Sequence, residues 1–413
     1  MPKQSINEEA SPNPGLAFII YFTLILKKMP SYKILCYNFS MKKIVFILLL
    51  LTGLAYAKES TMKNIKLAYI RCTWELSDGT FWKTEEIKGN LLTDLNLSFA
   101  HIDSKGQVQL KNKEYIKNQV SALHKAYPEL RINLSVGGWG AEGFSKAASN
   151  QKNRDVFVES TIKLLKELEL NGVDIDWEFP VGPDWGQKIK SSPKDKENYV
   201  LLLKDLREAF DKEGKLCDKY YTVSTAVPSV QWFLKKNDVK AVSEICDYIN
   251  LMCYDYYGSW TKTTGFNASL YANPEDPVGW STDACVKLYF QNGIKAEKIV
   301  LGLPTYGFAW KGIADNGTHG LFQKANTFLG NFDSTELETK YSLLQGFEEF
   351  FDEHAKQSYR YNKQSQVFST YPSKEFIKEA ASYAKDFNLR GLMYWEYGHD
   401  MDSKLLQIIN DEY

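Results

Sequence analysis

The chain has 413 residues, with 50 Lys and Arg against 51 Asp and Glu, 44% hydrophobic and 24% charged residues, and a formal net charge of −1. That balance excludes a disordered, collagen-like or disulfide-scaffold protein, and without a Lys/Arg block it leaves no electrostatic footprint for nucleic acid. Aromatic residues reach 14%, with ten Trp, 25 Tyr and 23 Phe, more than one core needs and suited to stacking on flat apolar ligand faces.

Two apolar runs near the start, 16–26 and 44–57, are shorter than the roughly 20 residues that span a bilayer. The second carries the export pattern: Met41-Lys42-Lys43 as charged lead, an apolar stretch, then Ala55-Tyr56-Ala57 as a small-x-small cleavage site. The expectation is a signal peptide over 41–57, an upstream extension from a misplaced start codon over 1–40, and a mature secreted chain, extracellular or periplasmic, beginning at Lys58. Losing six Lys and two Glu would leave it at about −5, a soluble monomer with no membrane partner. The five remaining cysteines, Cys72, Cys217, Cys246, Cys253 and Cys285, form no C-x-x-C, so at most two disulfides can form and free thiols fit equally. Five His without H-E-x-x-H or paired spacing give no support for a metal or other cofactor.

Apolar β-rich runs then recur at 65–70, 94–102, 131–136, 172–178, 221–227, 248–254, 299–306 and 390–396. Segments 114–126, 154–168, 196–210, 283–292 and 374–387 repeat apolar residues at three and four spacings, as amphipathic helices do. Eight alternating βα units predict an α/β fold with a parallel sheet closed into a (β/α)8 barrel over 58–306 and 372–413. Residues 307–371, without helix periodicity and rich in Gly, Asn, Asp and aromatics, read as a small α+β insertion between the seventh and eighth strands. No 20- to 50-residue repeat and no Pro- or Ser-rich linker marks another module.

Barrel chemistry collects where the strands end, and the fourth ends most unusually. In Asn171-Gly-Val-Asp-Ile-Asp-Trp-Glu178 the acids Asp174, Asp176 and Glu178 fall at i, i+2 and i+4, one face of a strand. Three carboxylates facing one interior push their pKa values apart, which keeps a protonated acid at neutral pH. A solvated acidic edge does not fit the flanking Val173, Ile175, Trp177 and Phe179; a magnesium or calcium site is the minor alternative.

The run Asn171 to Pro180 resembles the D-G-x-D-x-D-W-E-Y-P motif of glycoside hydrolase family 18, the chitinases. Ser135-Val-Gly-Gly138 is similar to the family's S-x-G-G, Met252-Cys-Tyr-Asp255 to its M-x-Y-D, and Met393-Tyr-Trp-Glu396 to its strand-eight ending. The insertion resembles that of the subfamily with an α+β domain. The resemblance implies hydrolysis of chitin or chito-oligosaccharides. Glu178 would protonate the glycosidic oxygen while the substrate's acetamide oxygen attacks the anomeric carbon. Asp176 would stabilise the oxazolinium intermediate, Asp174 would hold Asp176 or share its proton, and Tyr254 would orient the acetamide. By the same resemblance Trp395 is the floor under the reacting sugar and Asp255 contacts that sugar. Tyr69, Phe99 and Ser135 are supports, Met252, Gly138 and Tyr306 border the cleft within the matched motifs, and Trp139 and Trp310 are further cleft candidates. Two departures stand out: Asn171 replaces the family's opening Asp, and Phe308 follows Tyr306-Gly307 where the family has Arg, which removes a guanidinium contact.

Gly138-Trp-Gly-Ala-Glu-Gly143 also fits G-x-G-x-x-G, but the strand and acid expected next are missing. The alternatives are an endo-β-N-acetylglucosaminidase on N-glycans or cell-wall glycans, or a non-catalytic chitinase-like lectin; the retained acids favour the enzyme, and Asp176 to Pro180 favours chitin. Sequons at Asn96, Asn267 and Asn316 could carry glycan only in a eukaryotic source.

Overall fold

The computed structural model describes residues 64–72 and 82–413; the expected signal peptide and upstream extension lie outside the described residues. Eight parallel strands form a closed ring: Ile65–Arg71, Asp94–Ile102, Arg131–Gly137, Gly172–Asp176, Thr222–Pro228, Tyr248–Met252, Ile299–Pro304 and Gly391–Trp395. Each pairs with the next, and the first closes on the eighth through Ile65–Gly391 to Ala68–Tyr394. The predicted (β/α)8 barrel is therefore the fold.

The strand ends differ from the sequence reading. The fourth ladder stops at Asp176, where the Gly138 N–H takes the Asp176 carbonyl at 2.9 Å. Glu178 thus stands past the ladder, not within it, and Tyr254 and Tyr306 likewise follow their strands. Gly137 and Gly138 make this junction possible. A Cβ on Gly137, at φ +122, would lie 2.0 Å from the Asp176 carbonyl oxygen, and one on Gly138 would lie 2.6 Å from the Phe99 ring.

Helices Lys113–Ala126, Gln151–Glu167, Asp195–Cys217, Thr282–Gln291 and Lys374–Asp386 cover the barrel. The third runs seven residues beyond its expected end, through Gly214. The missing side chain there admits the Lys219 carbonyl, 2.2 Å from where a Cβ would be. Outward residues such as Val173 and Ile175 pack under these helices. Trp177 does the same, stacked on Phe144 at 5.1 Å and edge-on to Tyr199.

The barrel interior divides in two. Ile65, Leu67, Tyr69, Tyr248, Val300 and Met393 form an apolar cluster on one side, while Asn96, Asn133, Ser135, Asp174, Ser224 and Asn250 make the other side polar and fully buried. Between the seventh and eighth strands, Gly307–Lys311, Thr327–Phe332, Glu348–Asp352, Gln357–Asn362 and Val367–Thr370 build an antiparallel five-stranded sheet, with helix Ser334–Thr339 beside it. Among the described residues no helix is long and apolar enough to cross a membrane. Of the sequons named above, Asn96 and Asn267 are buried and Asn316 is exposed.

Candidate active site

The parallel register sets Ser135, Asp174 and Ser224 side by side on the third, fourth and fifth strands. Both hydroxyls donate to Asp174, Ser135 to Oδ2 at 2.8 Å and Ser224 to Oδ1 at 2.7 Å. From across the barrel the Tyr69 hydroxyl donates to Oδ2 at 2.9 Å and the Asn250 amide to Oδ1 at 3.1 Å. Burial raises the Asp174 pKa and these four donors oppose it. Four donors on two oxygens match what a carboxylate anion can accept, so Asp174 holds the negative charge.

Asp176, on the same face, is surrounded differently. Its Oδ1 is buried with no hydrogen-bond partner among the described residues. Burial, then the charge of Glu178, then that of Asp174 raise its pKa well above the carboxylate range. Glu178 is half-buried, and burial followed by the charge of Asp255 raises it too. A fixed anion below two proton-hungry carboxyls stores a proton at neutral pH beside an open cleft. All four hydrogen bonds that Asp174 accepts come from hydroxyls and an amide, and none joins it to Asp176.

The opposite wall follows the sixth strand. Asp255 has φ +60, held by its N–H on Asn267 Oδ1 at 3.0 Å, while the Asn267 amide donates to the Tyr306 carbonyl at 2.9 Å. The Tyr306 hydroxyl donates to Asp255 Oδ1 at 2.5 Å. Asp255 is exposed, and partial desolvation lifts its carboxyl to about 6 against the pull of the Tyr306 hydroxyl. Tyr254 is half-buried beside Tyr306, with ring centroids 6.3 Å apart. Burial and the charges of Asp176, Asp255 and Glu178 keep its phenol protonated and so able to donate.

At the end of the eighth strand Trp395 lies half-buried, stacked on Phe99 at 5.3 Å and 17° and tilted to Tyr69 at 5.7 Å. Met252 and Tyr254 pack on the same apolar cluster. The strand ends thus bring together Tyr69, Phe99, Ser135, Asp174, Asp176, Glu178, Met252, Tyr254, Asp255, Tyr306 and Trp395. Trp139 projects outward, 70% exposed, with its ring edge-on to Phe179.

Trp310 is a correction. It is 1% exposed, enclosed by Phe308, Phe328 and Phe368 in the insertion sheet, so it is a core residue and offers no ring face to a ligand. Phe308 belongs to the same aromatic group and also meets the exposed Trp260 edge-on. Asn171 accepts the Ile132 N–H at 2.9 Å, tying the third and fourth strands at their entry. Asn250, Ser224 and Asn267 were missed. The first two sit at inward positions of strands, a signal that alternation could have supplied; Asn267 lies in a loop and gave none.

Among the described residues no three His, Cys, Asp or Glu side chains group to hold a metal ion. A cavity of about 500 Å3 lies behind the seventh-strand loop, lined by Asp333, Glu349, Arg360 and Asp400, and shares none of the residues above.

Residues 71–400 match the family described as glycosyl hydrolases family 18. Chitinase A1 of Niallia circulans is 33% identical over 305 residues, covering 70% of this chain and 43% of that protein. Probable chitinase 2 of Drosophila melanogaster is 31% identical over 346 residues, 76% of this chain and 68% of that one. Among solved structures, a glycoside hydrolase family 18 N-acetylglucosaminidase from Paenibacillus barengoltzii superposes with a TM-score of 0.77 at 33% identity, over 85% of this chain and all of the other. The match spans less than half the length of Chitinase A1.

Proposed function

The chain belongs to glycosyl hydrolases family 18, and on that premise we propose that it cleaves β-1,4-linked N-acetylglucosamine polymers, with retention, by substrate assistance. Glu178 gives its proton to the glycosidic oxygen. The acetamide carbonyl oxygen of the sugar on Trp395 attacks the anomeric carbon, the bond to the leaving sugar breaks, and an oxazolinium ion forms. Asp176 accepts the acetamide N–H and balances the positive charge, while Tyr254 donates to the acetamide oxygen. Water, deprotonated by Glu178, then attacks the anomeric carbon from the face that the leaving sugar vacated, and the bond to the acetamide oxygen breaks, which restores the original configuration.

The observation that carries this reading is the contrast between the two aspartates: Asp174 is saturated by four donors, and Asp176 beside it has a buried oxygen with none among the described residues. The acetamide N–H is the donor that oxygen lacks. We further propose that the chain is exported with cleavage near Ala57, acts as a monomer and needs no cofactor.

A second reading has its own support, because the Paenibacillus barengoltzii relative is described as an N-acetylglucosaminidase: release of single sugars from chain ends. Mass spectrometry of products from the chain starting at Lys58, given N-acetylglucosamine oligomers and, in parallel, an N-glycoprotein, tests both. Dimers and longer products support internal cleavage, monomers alone the second reading, and released N-glycans an endoglycosidase. Glu178→Gln should still bind oligomers and lose nearly all turnover; near-normal turnover refutes the assignment.

A further inference from the structure

Trp395 is followed by Glu396, whose carboxylate is fully buried. One of its oxygens, Oε1, accepts from Nε and Nη2 of Arg71 at 3.0 and 2.8 Å, and the other accepts the Gly398 N–H at 3.2 Å. The main chain on both sides of the peptide is held as well. The Thr305 N–H donates to the Trp395 carbonyl at 2.9 Å, and the Glu396 N–H donates to the Thr305 hydroxyl at 2.6 Å. Arg71 lies two residues after Tyr69 on the first strand and pairs in register with Ser98, the residue before Phe99. Among the described residues, the rings of Tyr69 and Phe99 meet the Trp395 indole. His399 joins the group, its Nε2 at 3.5 Å from Glu396 Oε1 and its ring 6.0 Å from Tyr306, whose hydroxyl holds Asp255.

A buried carboxylate is expensive unless paired, and closing the barrel does not require this one. The first and eighth strands already join through four ladder positions below it. We infer that Arg71 and Glu396 are positioning residues for the sugar floor: their ion pair across the barrel seam fixes the Trp395 indole against Phe99, and through His399 and Tyr306 ties the floor to the Asp255 wall. The inference rests on the floor role proposed for Trp395.

The test is a double-mutant cycle on an N-acetylglucosamine tetramer, reading KM and kcat with the thermal midpoint of each variant. A loosened floor weakens contact in ground and transition states alike, so Arg71→Met should raise KM about tenfold and leave kcat within about threefold. Glu396→Gln, which keeps its volume and the Gly398 acceptor, should do the same and carries the cycle if Arg71→Met does not fold. In a Trp395→Ala background the Arg71 effect should shrink to within about twofold, since it acts through the indole. Equal factors in both backgrounds, or an unchanged KM in Arg71→Met and Glu396→Gln, overturn the inference. If Trp395→Ala alone leaves KM unchanged, the floor reading itself is wrong and this inference falls with it.

Discussion

Asp174 and Asp176 stand two residues apart on one face of one strand, yet among the described residues the first accepts four hydrogen bonds and the second leaves a buried oxygen with none. The difference arises from the neighbours each meets: Asp174 lies level with Ser135 and Ser224, and Asp176 lies level with Gly137, which brings no side chain. One carboxylate is thereby surrounded by donors, and the next keeps a raised pKa and an acceptor oxygen facing the proton donor Glu178.

That arrangement predicts a pH effect with a definite sign. Burial, then the Asp255 charge, raises the Glu178 pKa, so its proton is kept at neutral pH and lost only as pH rises through the raised value. Asp255→Asn removes the charge and leaves the burial. The basic limb of kcat/KM should therefore move to lower pH, whatever happens to its height. A limb that stays in place or moves upward would count against Glu178 as the proton donor.

Replacing Asp174 tests its structural share. Asp174→Ala leaves Tyr69, Ser135, Ser224 and Asn250 to find new partners in a closed interior, and each buried donor left unpaired costs about 1–3 kcal/mol. With some of the hydroxyls re-pairing among themselves, a loss of about 3 kcal/mol is expected in urea unfolding. A change below about 1 kcal/mol would show that the four bonds contribute little.

Gly137→Ala places a methyl 2.0 Å from the Asp176 carbonyl at a φ of +122. Overpacking plus backbone strain should cost about 3 kcal/mol or more, and the folded fraction should lose kcat, because the backbone that must retreat carries Asp176. Circular dichroism melting with an assay below the midpoint checks both; wild-type kcat would mean that the junction gives way elsewhere.

Trp310→Ala separates packing from binding. Opening a cavity among Phe308, Phe328 and Phe368 should destabilise by about 3–5 kcal/mol and leave KM for oligomers unchanged at a temperature where the variant is folded. Trp139→Ala should do the reverse, since its ring is 70% exposed. A raised KM in Trp310→Ala with an unshifted melting point would restore it to the cleft.

Much of this was legible along the chain, for reasons that differ by element. The eight strands could be read because parallel barrel strands are buried on both faces and so appear as short continuous apolar runs. Asp174 and Asp176 could be read because side chains alternate strictly along a strand, and Glu178 because it completes a motif with Trp177 and Pro180. Spacing misplaced Glu178 on the ladder, since the point where pairing ends depends on the Gly138 N–H of the neighbouring strand. It also offered Trp310 as a cleft residue, because an aromatic beside a glycine turn looks the same whether its face meets solvent or another sheet strand.

The sequence by itself therefore determined the barrel, the insertion between its last two strands and the carboxylates at the end of the fourth, all of them local patterns written in side-chain periodicity and residue type. Only the tertiary structure decided which aspartate is surrounded by donors and which is left with an open oxygen, and that Arg71 grips Glu396 from 325 residues away. These follow from partners that meet across the closed ring, and the energy of a buried charge is set by what surrounds it in space and not by its neighbours along the chain.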